Sequence, residues 1–333
     1  MRRLPVFFLI DVSESMSGAP IANVNKGIQQ IAISLKNNPM ALETAYIAVI
    51  IFAGKAKLLV PLTELLQFST PEFYIGGGTA LGNGLNFLMD EMDKQVQKTT
   101  HEEKGDWKPI IFLLTDGAPT DDVTPAISRW HSNFRNNANL IAISIGNQAD
   151  PTVLKKITGN VIIFDDAKKE SYSMFFNWIS ASIETKSMNV TVGNDDFQLP
   201  KMDHEILRKE EIYNPKIEYD ERYAILLSRC QQTKKPYLIK YLKEANNKYI
   251  LDGTYSIGEN YFELSSEGKT SIIGTESITS IPPCPECGCK SIAYCVCGHL
   301  FCIANDGKNV CPWCNNVIQV RYSSNFNISK TQG

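Results

Sequence analysis

The sequence predicts an α/β fold with a doubly wound, mostly parallel sheet, followed by a small β-rich unit and a cysteine-rich segment. Three observations predict it. Short apolar runs alternate with amphipathic stretches over the first half of the chain. Strand-like runs separated by turn signals take over from Tyr223. Eight of the nine cysteines then crowd between Cys284 and Cys314. A chain of 333 residues is too long for one ordinary core. The texture divides it into 1–189, a linker and β-rich unit over 190–280, a cysteine-rich domain over 281–322, and a tail over 323–333.

Leu4 to Asp11 reads as the first strand, and Pro20 opens a helix with Ile21, Val24, Ile28, Ile31 and Leu35 at helical spacing. Ala45–Phe52 and Ala56–Val60 flank Gly54-Lys55 as two strands joined by a tight turn. A helix follows from Leu81 to Val96, with Leu85, Leu88, Met89 and Met92 on one face. Pro109 to Leu114 is a continuous apolar run, the pattern of a strand buried on both sides. Helices over 123–135, 151–157 and 172–185 alternate with strands over 140–145 and 161–164. Such alternation specifies a mostly parallel sheet with helices on both faces. Residues 190–215 are polar without a sustained period and read as a linker and edge segment. Beyond them, runs at 223–227, 237–242, 249–251, 255–257 and 271–273 read as short strands, with Asp252-Gly253 among the turns.

Composition bounds the function. Hydrophobic residues at 43% and charged residues at 21% are those of a soluble globular chain. A formal charge of −3 gives no global pull towards nucleic acid or an anionic membrane. Met1-Arg2-Arg3 before an apolar run imitates a secretion signal, but the run ends in Asp11 without a small-x-small cleavage site and reads as a buried strand. Clustered cysteines without such a signal point to metal binding in a reducing, cytoplasmic compartment.

Asp11-Val-Ser13-Glu-Ser15 follows the first strand directly. In an open α/β sheet, ligands collect at the carboxyl ends of strands where the topology switches. Two more loops are expected at that edge: Gly76-Gly77-Gly78-Thr79 before a helix, and Thr115-Asp116-Gly117 after the buried strand. Asp11, Ser13, Ser15, Thr79 and Asp116 together offer two carboxylates and three hydroxyls. These are hard donors of the kind Mg²⁺ takes at about 2.0–2.1 Å. Glu14, Asp121 and Asp122 read as a solvated rim.

This constellation resembles the metal-ion-dependent adhesion site of a von Willebrand factor A (vWA) domain, a Rossmann-like fold, over roughly the first 190 residues. The resemblance implies Mg²⁺ or Mn²⁺ at these positions and an acidic residue of a protein partner completing the shell.

Cys284-Pro-Glu-Cys287 and Cys311-Pro-Trp-Cys314 are two C-x-x-C knuckles, the strong signature of a structural Zn²⁺ site. We assign them together to a first site of a zinc-ribbon-like domain. Cys289, Cys295, Cys297 and Cys302 then supply a second, with His299 as an alternative ligand. Spacing alone leaves this pairing open. Eight thiols suit two four-coordinate zinc ions, and iron–sulfur ligation is the minor alternative. Cys230 reads as a reduced, buried cysteine. A vWA domain followed by a β-rich unit and a Cys-rich tail resembles the TerY-type proteins of bacterial tellurite-resistance and stress gene clusters. That resemblance implies a cytoplasmic scaffold meeting a protein kinase and a PPM-type phosphatase.

Two rival readings come from other classes. A Mg²⁺-dependent phosphohydrolase needs Asp-x-Asp, and Ser13 stands at the second position. No phosphate-binding glycine motif follows a strand, and His101, His131 and His204 are isolated. Nucleic-acid binding through the tail would rest on Lys290, Lys308, Arg321 and Lys330, against Glu286 and Asp306, with no basic stripe.

Overall fold

The computed structural model describes residues 2–146, 151–164, 171–193, 197, 199–201, 207–209, 222–244, 246–266, 271–303, 308–319 and 326–331. Most of the expected linker, His204, Asp306, Arg321 and part of the tail lie outside the described residues.

The N-terminal unit is a vWA-like α/β layer structure. In chain order it contains β1 (Leu4–Asp11), α1 (Ala19–Lys36), α2 (Pro39–Thr44), β2 (Ala45–Phe52), β3 (Ala56–Glu64), α3 (Leu81–Gln95), β4 (Ile110–Thr115), α4 (Thr124–Asn133), β5 (Asn139–Ile145), α5 (Thr152–Ile157), β6 (Val161–Phe164), α6 (Ser171–Thr191) and β7 (Leu207–Lys209). The sheet order is β3-β2-β1-β4-β5-β6-β7. β2, β1, β4, β5 and β6 run parallel, whereas edge strands β3 and β7 pair antiparallel. The chain therefore winds outward in both directions from β1 and β4, which makes that pair the topological switch point.

Alternation along β1 explains the two covered faces. Leu4, Val6, Phe8 and Ile10 pack with α1 and α6, while Phe7 and Leu9 pack with α3 and α4. Helix α1 approaches α6 so closely that a Cβ on Gly27 would lie 2.0 Å from the Phe176 ring, so only glycine fits there.

The C-terminal part builds a five-stranded sheet in the order β10-β9-β8-β13-β12, from β8 (Tyr223–Arg229), β9 (Pro236–Lys243), β10 (Tyr249–Ser256), β12 (Ser291–Tyr294) and β13 (Leu300–Ile303). A short helix α7 (Asn260–Leu264) and strand β11 (Ser271–Gly274) lie between β10 and β12. Strands β14 (Lys308–Val310) and β15 (Val317–Gln319) pair with each other, and β16 (Asn327–Lys330) pairs with β11.

Two expectations change here. Asp252-Gly253 is not a turn between strands but an irregularity inside β10, where the pairing with β9 shifts between Leu251 and Gly253. The sheet also crosses residue 281: β13 pairs parallel with β8, Leu300 opposite Ser228 and Phe301 opposite Arg229. The segments separated at 281 by composition share one sheet, because strand pairing is nonlocal and composition is not.

The two units also share packing. Ile225, Leu238, Tyr261 and Leu264 join Val12, Met16 and the α1/α6 side of the vWA core. No helix among the described residues is long and apolar enough to cross a membrane.

Candidate functional site

All five oxygen-bearing residues expected at the strand ends meet in one place, at the switch point between β1 and β4. Asp11 ends β1, and its Oδ1 accepts the Ser13 backbone N–H at 2.8 Å while Oδ2 accepts the Thr115 hydroxyl at 2.6 Å. Ser13 then opens a 3₁₀ turn over Glu14–Met16. That turn brings Ser13 Oγ within 2.9 Å of Ser15 Oγ, and Ser15 Oγ donates to Asp116 Oδ1 at 2.7 Å. The glycine loop is tied to β1 by Gly76 N–H donating to Val12 O at 2.9 Å. Gly78 has φ +90°, a left-handed conformation that swings the next residue, Thr79, inward. Thr79 is fixed to the third loop by its N–H donating to Thr120 Oγ1 at 3.0 Å and by Thr120 N–H donating to Thr79 O at 2.9 Å.

Asp11, Ser13, Ser15 and Thr79 are fully buried and Asp116 is 4% exposed. Thr79 Oγ1 has no hydrogen-bond partner. A buried hydroxyl left unpaired costs free energy, and a cation can take its lone pairs. A Cβ on Gly117 would lie 3.4 Å from Thr79 Oγ1 and 3.7 Å from Ser15 Oγ, so the two hydroxyls face one small space. The donor set therefore fits a hard divalent ion: Asp11 and Asp116 balance its charge, and the three hydroxyls complete an oxygen shell.

Electrostatics point the same way. Burial, followed by the Asp116 charge, raises the Asp11 carboxyl from its ordinary 3.8 to about 7, against the hydrogen bonds from Thr115 and Ser13. Because the native value lies above the unfolded one, the metal-free fold loses stability as pH rises from about 4 through 7. Metal binding needs the ionised carboxylate and moves in the opposite sense. We expect Mn²⁺ affinity, measured by calorimetry, to fall by about tenfold per pH unit below about 7. A flat affinity between pH 5 and 7.5 would show that Asp11 is not a ligand.

The neighbouring acids separate. Asp122 is exposed, as expected of a rim, and accepts the Thr124 N–H at 2.9 Å. Asp121 instead caps α3 by accepting the N–H groups of Gly82 at 3.1 Å and Asn83 at 2.9 Å. Glu14, expected at a solvated rim, is fully buried, and its carboxylate accepts the Tyr261 hydroxyl. Burial raises it to about 7, against hydrogen bonds from Tyr261 and Thr331. The reason lies beyond the vWA domain: the C-terminal unit sits on these three loops. Arg222 donates to Asp116 O, and Lys240 Nζ donates to Ser15 O at 2.6 Å. Gly77 N–H donates to Ser265 Oγ at 2.8 Å. No local pattern in the sequence reports these contacts.

The cysteines form two groups of four sulfurs, each group within 4.8 Å: Cys230, Cys284, Cys287 and Cys302, and Cys295, Cys297, Cys311 and Cys314. Close sulfur pairs stand 3.5 to 3.8 Å apart. Four thiolates around zinc at about 2.3 Å sit roughly 3.8 Å from one another, whereas a disulfide needs about 2.05 Å. The grouping differs from the sequence assignment. The knuckle Cys284/Cys287 goes with Cys302 and the distant Cys230, and Cys311/Cys314 goes with Cys295/Cys297. Cys289 is not one of either four, but its thiol lies against Cys287 and Cys302, and its carbonyl accepts the Cys284 N–H at 2.7 Å. His299 also lies outside, bonded by Nδ1 to Cys297 O at 3.0 Å and stacked 4.6 Å from Trp313.

Backbone geometry explains why Cys230 qualifies. In the two C-x-x-C knuckles, Cys284 N–H bonds Cys289 O and Gly288 N–H bonds Cys284 O, and Cys311 pairs in the same way with Asn316 and Asn315. Cys230 repeats the turn: its N–H bonds Lys235 O at 2.9 Å, and Lys234 N–H bonds Cys230 O at 3.0 Å. Lys234, Gly288 and Asn315 all have positive φ. Thr233 stands where the second cysteine would be, so the motif is invisible to a search for paired cysteines. Burial raises the Cys284 thiol to about 11 and Cys297 to about 12. Zinc reverses that by ionising coordinated thiols.

A family profile described as the von Willebrand factor type A domain matches residues 6–177, and one described as the TerY-C metal binding domain matches residues 220–333. No curated protein gives a significant match. Among solved structures, proximal thread matrix protein 1 from the mussel byssus is 16% identical over 57% of this chain and 47% of its own, with a TM-score of 0.38. Another structure of that protein is described as having a zinc-occupied MIDAS motif. A von Willebrand factor type A protein from Catenulispora acidiphila is 17% identical over 55% of this chain and 43% of its own, TM-score 0.40. The ArnB paralog VWA2 from Sulfolobus acidocaldarius is 17% identical over 55% and 45%, TM-score 0.41. The alignments span less than half the length of these three proteins.

Proposed function

Given that the chain belongs to the von Willebrand factor type A family, we propose that it is a non-enzymatic scaffold that binds a protein partner through Mg²⁺ (or Mn²⁺) held by Asp11, Ser13, Ser15, Thr79 and Asp116. One observation carries this reading: two carboxylates and three hydroxyls converge in a buried site, and the Thr79 hydroxyl there has no protein partner. Asp11 and Asp116 only balance a divalent charge, so the ion stays attractive to a carboxylate from a partner. The C-terminal unit folds around two zinc ions, one at Cys230/Cys284/Cys287/Cys302 and one at Cys295/Cys297/Cys311/Cys314. Four thiolates close each site and leave no position for a substrate, so these ions serve folding.

The finer reading follows the TerY-C match: a cytoplasmic protein of tellurite or chemical-stress response, with a kinase and a PPM-type phosphatase as partners. The test is binding of the purified kinase and phosphatase to the full chain in Mg²⁺ and in EDTA. Loss of binding in EDTA supports the metal-bridged scaffold, and equal affinity in both rejects it.

A phosphohydrolase reading fares worse on the geometry. Ser13 Oγ, where such an enzyme needs an acid, bonds Ser15. We expect no turnover of p-nitrophenyl phosphate or ATP in Mg²⁺; turnover abolished by Asp11→Ala would restore the enzyme reading.

A further inference from the structure

We propose that the C-terminal unit is a built-in cover of the metal face, and that an outside carboxylate reaches the ion only when this unit moves away. The inference rests on the metal-site reading above and adds a closed state to it.

The cover touches all three metal loops. On the first, Lys240 Nζ donates to Ser15 O at 2.6 Å and to Ser17 O at 3.4 Å, and Tyr261 donates to Glu14. On the second, Ser265 Oγ accepts the Gly77 N–H at 2.8 Å. On the third, Arg222 donates to Asp116 O. Packing closes the gaps: a Cβ on Gly76 would lie 2.6 Å from Leu264, and one on Gly18 would lie 2.7 Å from Tyr255. The result is a metal site whose most exposed member, Asp116, is only 4% accessible. Among the described residues the donors are closed to a side chain arriving from another protein.

The same contacts show that the cover is built to hold yet able to part. The polar contacts just named are made to backbone carbonyls, an N–H and Glu14. Releasing those contacts takes no ligand oxygen with it. Lys240 also has an alternative partner on its own unit, Asp252 at 3.8 Å. When the cover lifts, this ammonium need not stand unpaired. Closure and partner binding then compete for one face, and each must weaken the other by the same factor.

The test uses the full chain with Lys240→Met, which keeps the aliphatic stem, and Ser265→Ala, a mild change at the rim. Amide exchange is followed at Ser13–Ser17 and Gly76–Thr79 in Mg²⁺, and Mn²⁺ release is timed against excess chelator. Losing a hydrogen bond from a charged group should speed both by about tenfold or more in Lys240→Met, and by a few-fold in Ser265→Ala. Zinc content should stay at the wild-type value. Unchanged exchange and release in both variants would overturn the cover. Should Lys240→Met fail to fold, Ser265→Ala alone decides the matter. Asp11→Ala separates the two claims: it removes Mn²⁺ binding if the site is read correctly, while amide exchange still reports on the cover.

Discussion

Cys230→Ser should drop bound zinc from two ions to one per chain and melt the C-terminal unit. Cys230 supplies one of four sulfurs in its group, and its partners Cys284, Cys287 and Cys302 cannot close a tetrahedron alone. Structural zinc contributes about 10–16 kcal/mol of apparent binding free energy, comparable to the roughly 5–15 kcal/mol by which whole domains are typically stable. Losing one ion therefore removes most of the stability of a small sheet. The paired control is Cys289→Ser, whose thiol touches Cys287 and Cys302 without being one of the four, and which should keep two zinc ions. Metal analysis and thermal melting read both. Two zincs in Cys230→Ser and one in Cys289→Ser would reverse the assignment of these two residues. Because Ile225, Leu238, Tyr261 and Leu264 pack into the vWA core, melting should spread to the metal loops and not stop at a domain boundary.

Asp116→Ala should abolish Mg²⁺ binding and weaken a metal-dependent partner by about 2–5 kcal/mol, roughly 30-fold to several thousand-fold, mostly in the off-rate. Asp116 provides half of the negative charge facing the ion, and it also organises Ser15, which donates to its Oδ1 at 2.7 Å. Removing it relieves the repulsion that raises Asp11, so the apo fold should not suffer. The variant should melt at or above the temperature of metal-free wild type. Surface plasmon resonance against the kinase and phosphatase proposed as partners, with a melting curve on the same sample, distinguishes lost binding from lost folding. An unchanged off-rate would mean that partners engage another face.

Much of the vWA domain was legible because its signals are local. Leu4–Asp11 and Val161–Phe164 stand where the apolar runs place them, and Pro20 marks the start of α1 within one residue. The five oxygen donors could be read because each lies beside a strand end or a glycine turn, and topology brings strand ends together. Helices α2 and α7, of six and five residues, lie outside the helices the spacing predicts. Cys230 was missed because its turn replaces the second cysteine with Thr233. Glu14 was misplaced at a rim for a deeper reason: its burial depends on Tyr261, far along the chain, and no periodicity reports such a partner. The cover as a whole belongs to that class. Lys240 looks like an ordinary strand lysine, and only the packed structure shows its ammonium on the carbonyl of Ser15.

The most direct test is anomalous diffraction from the full chain crystallised in Mn²⁺. The proposed site predicts one manganese peak enclosed by Asp11, Ser13, Ser15, Thr79 and Asp116, at coordination distances of about 2.0–2.3 Å. It should be separate from two zinc peaks at the cysteine groups. Manganese found elsewhere, or a Thr79 hydroxyl bonded only to protein with no ion beside it, would contradict the account.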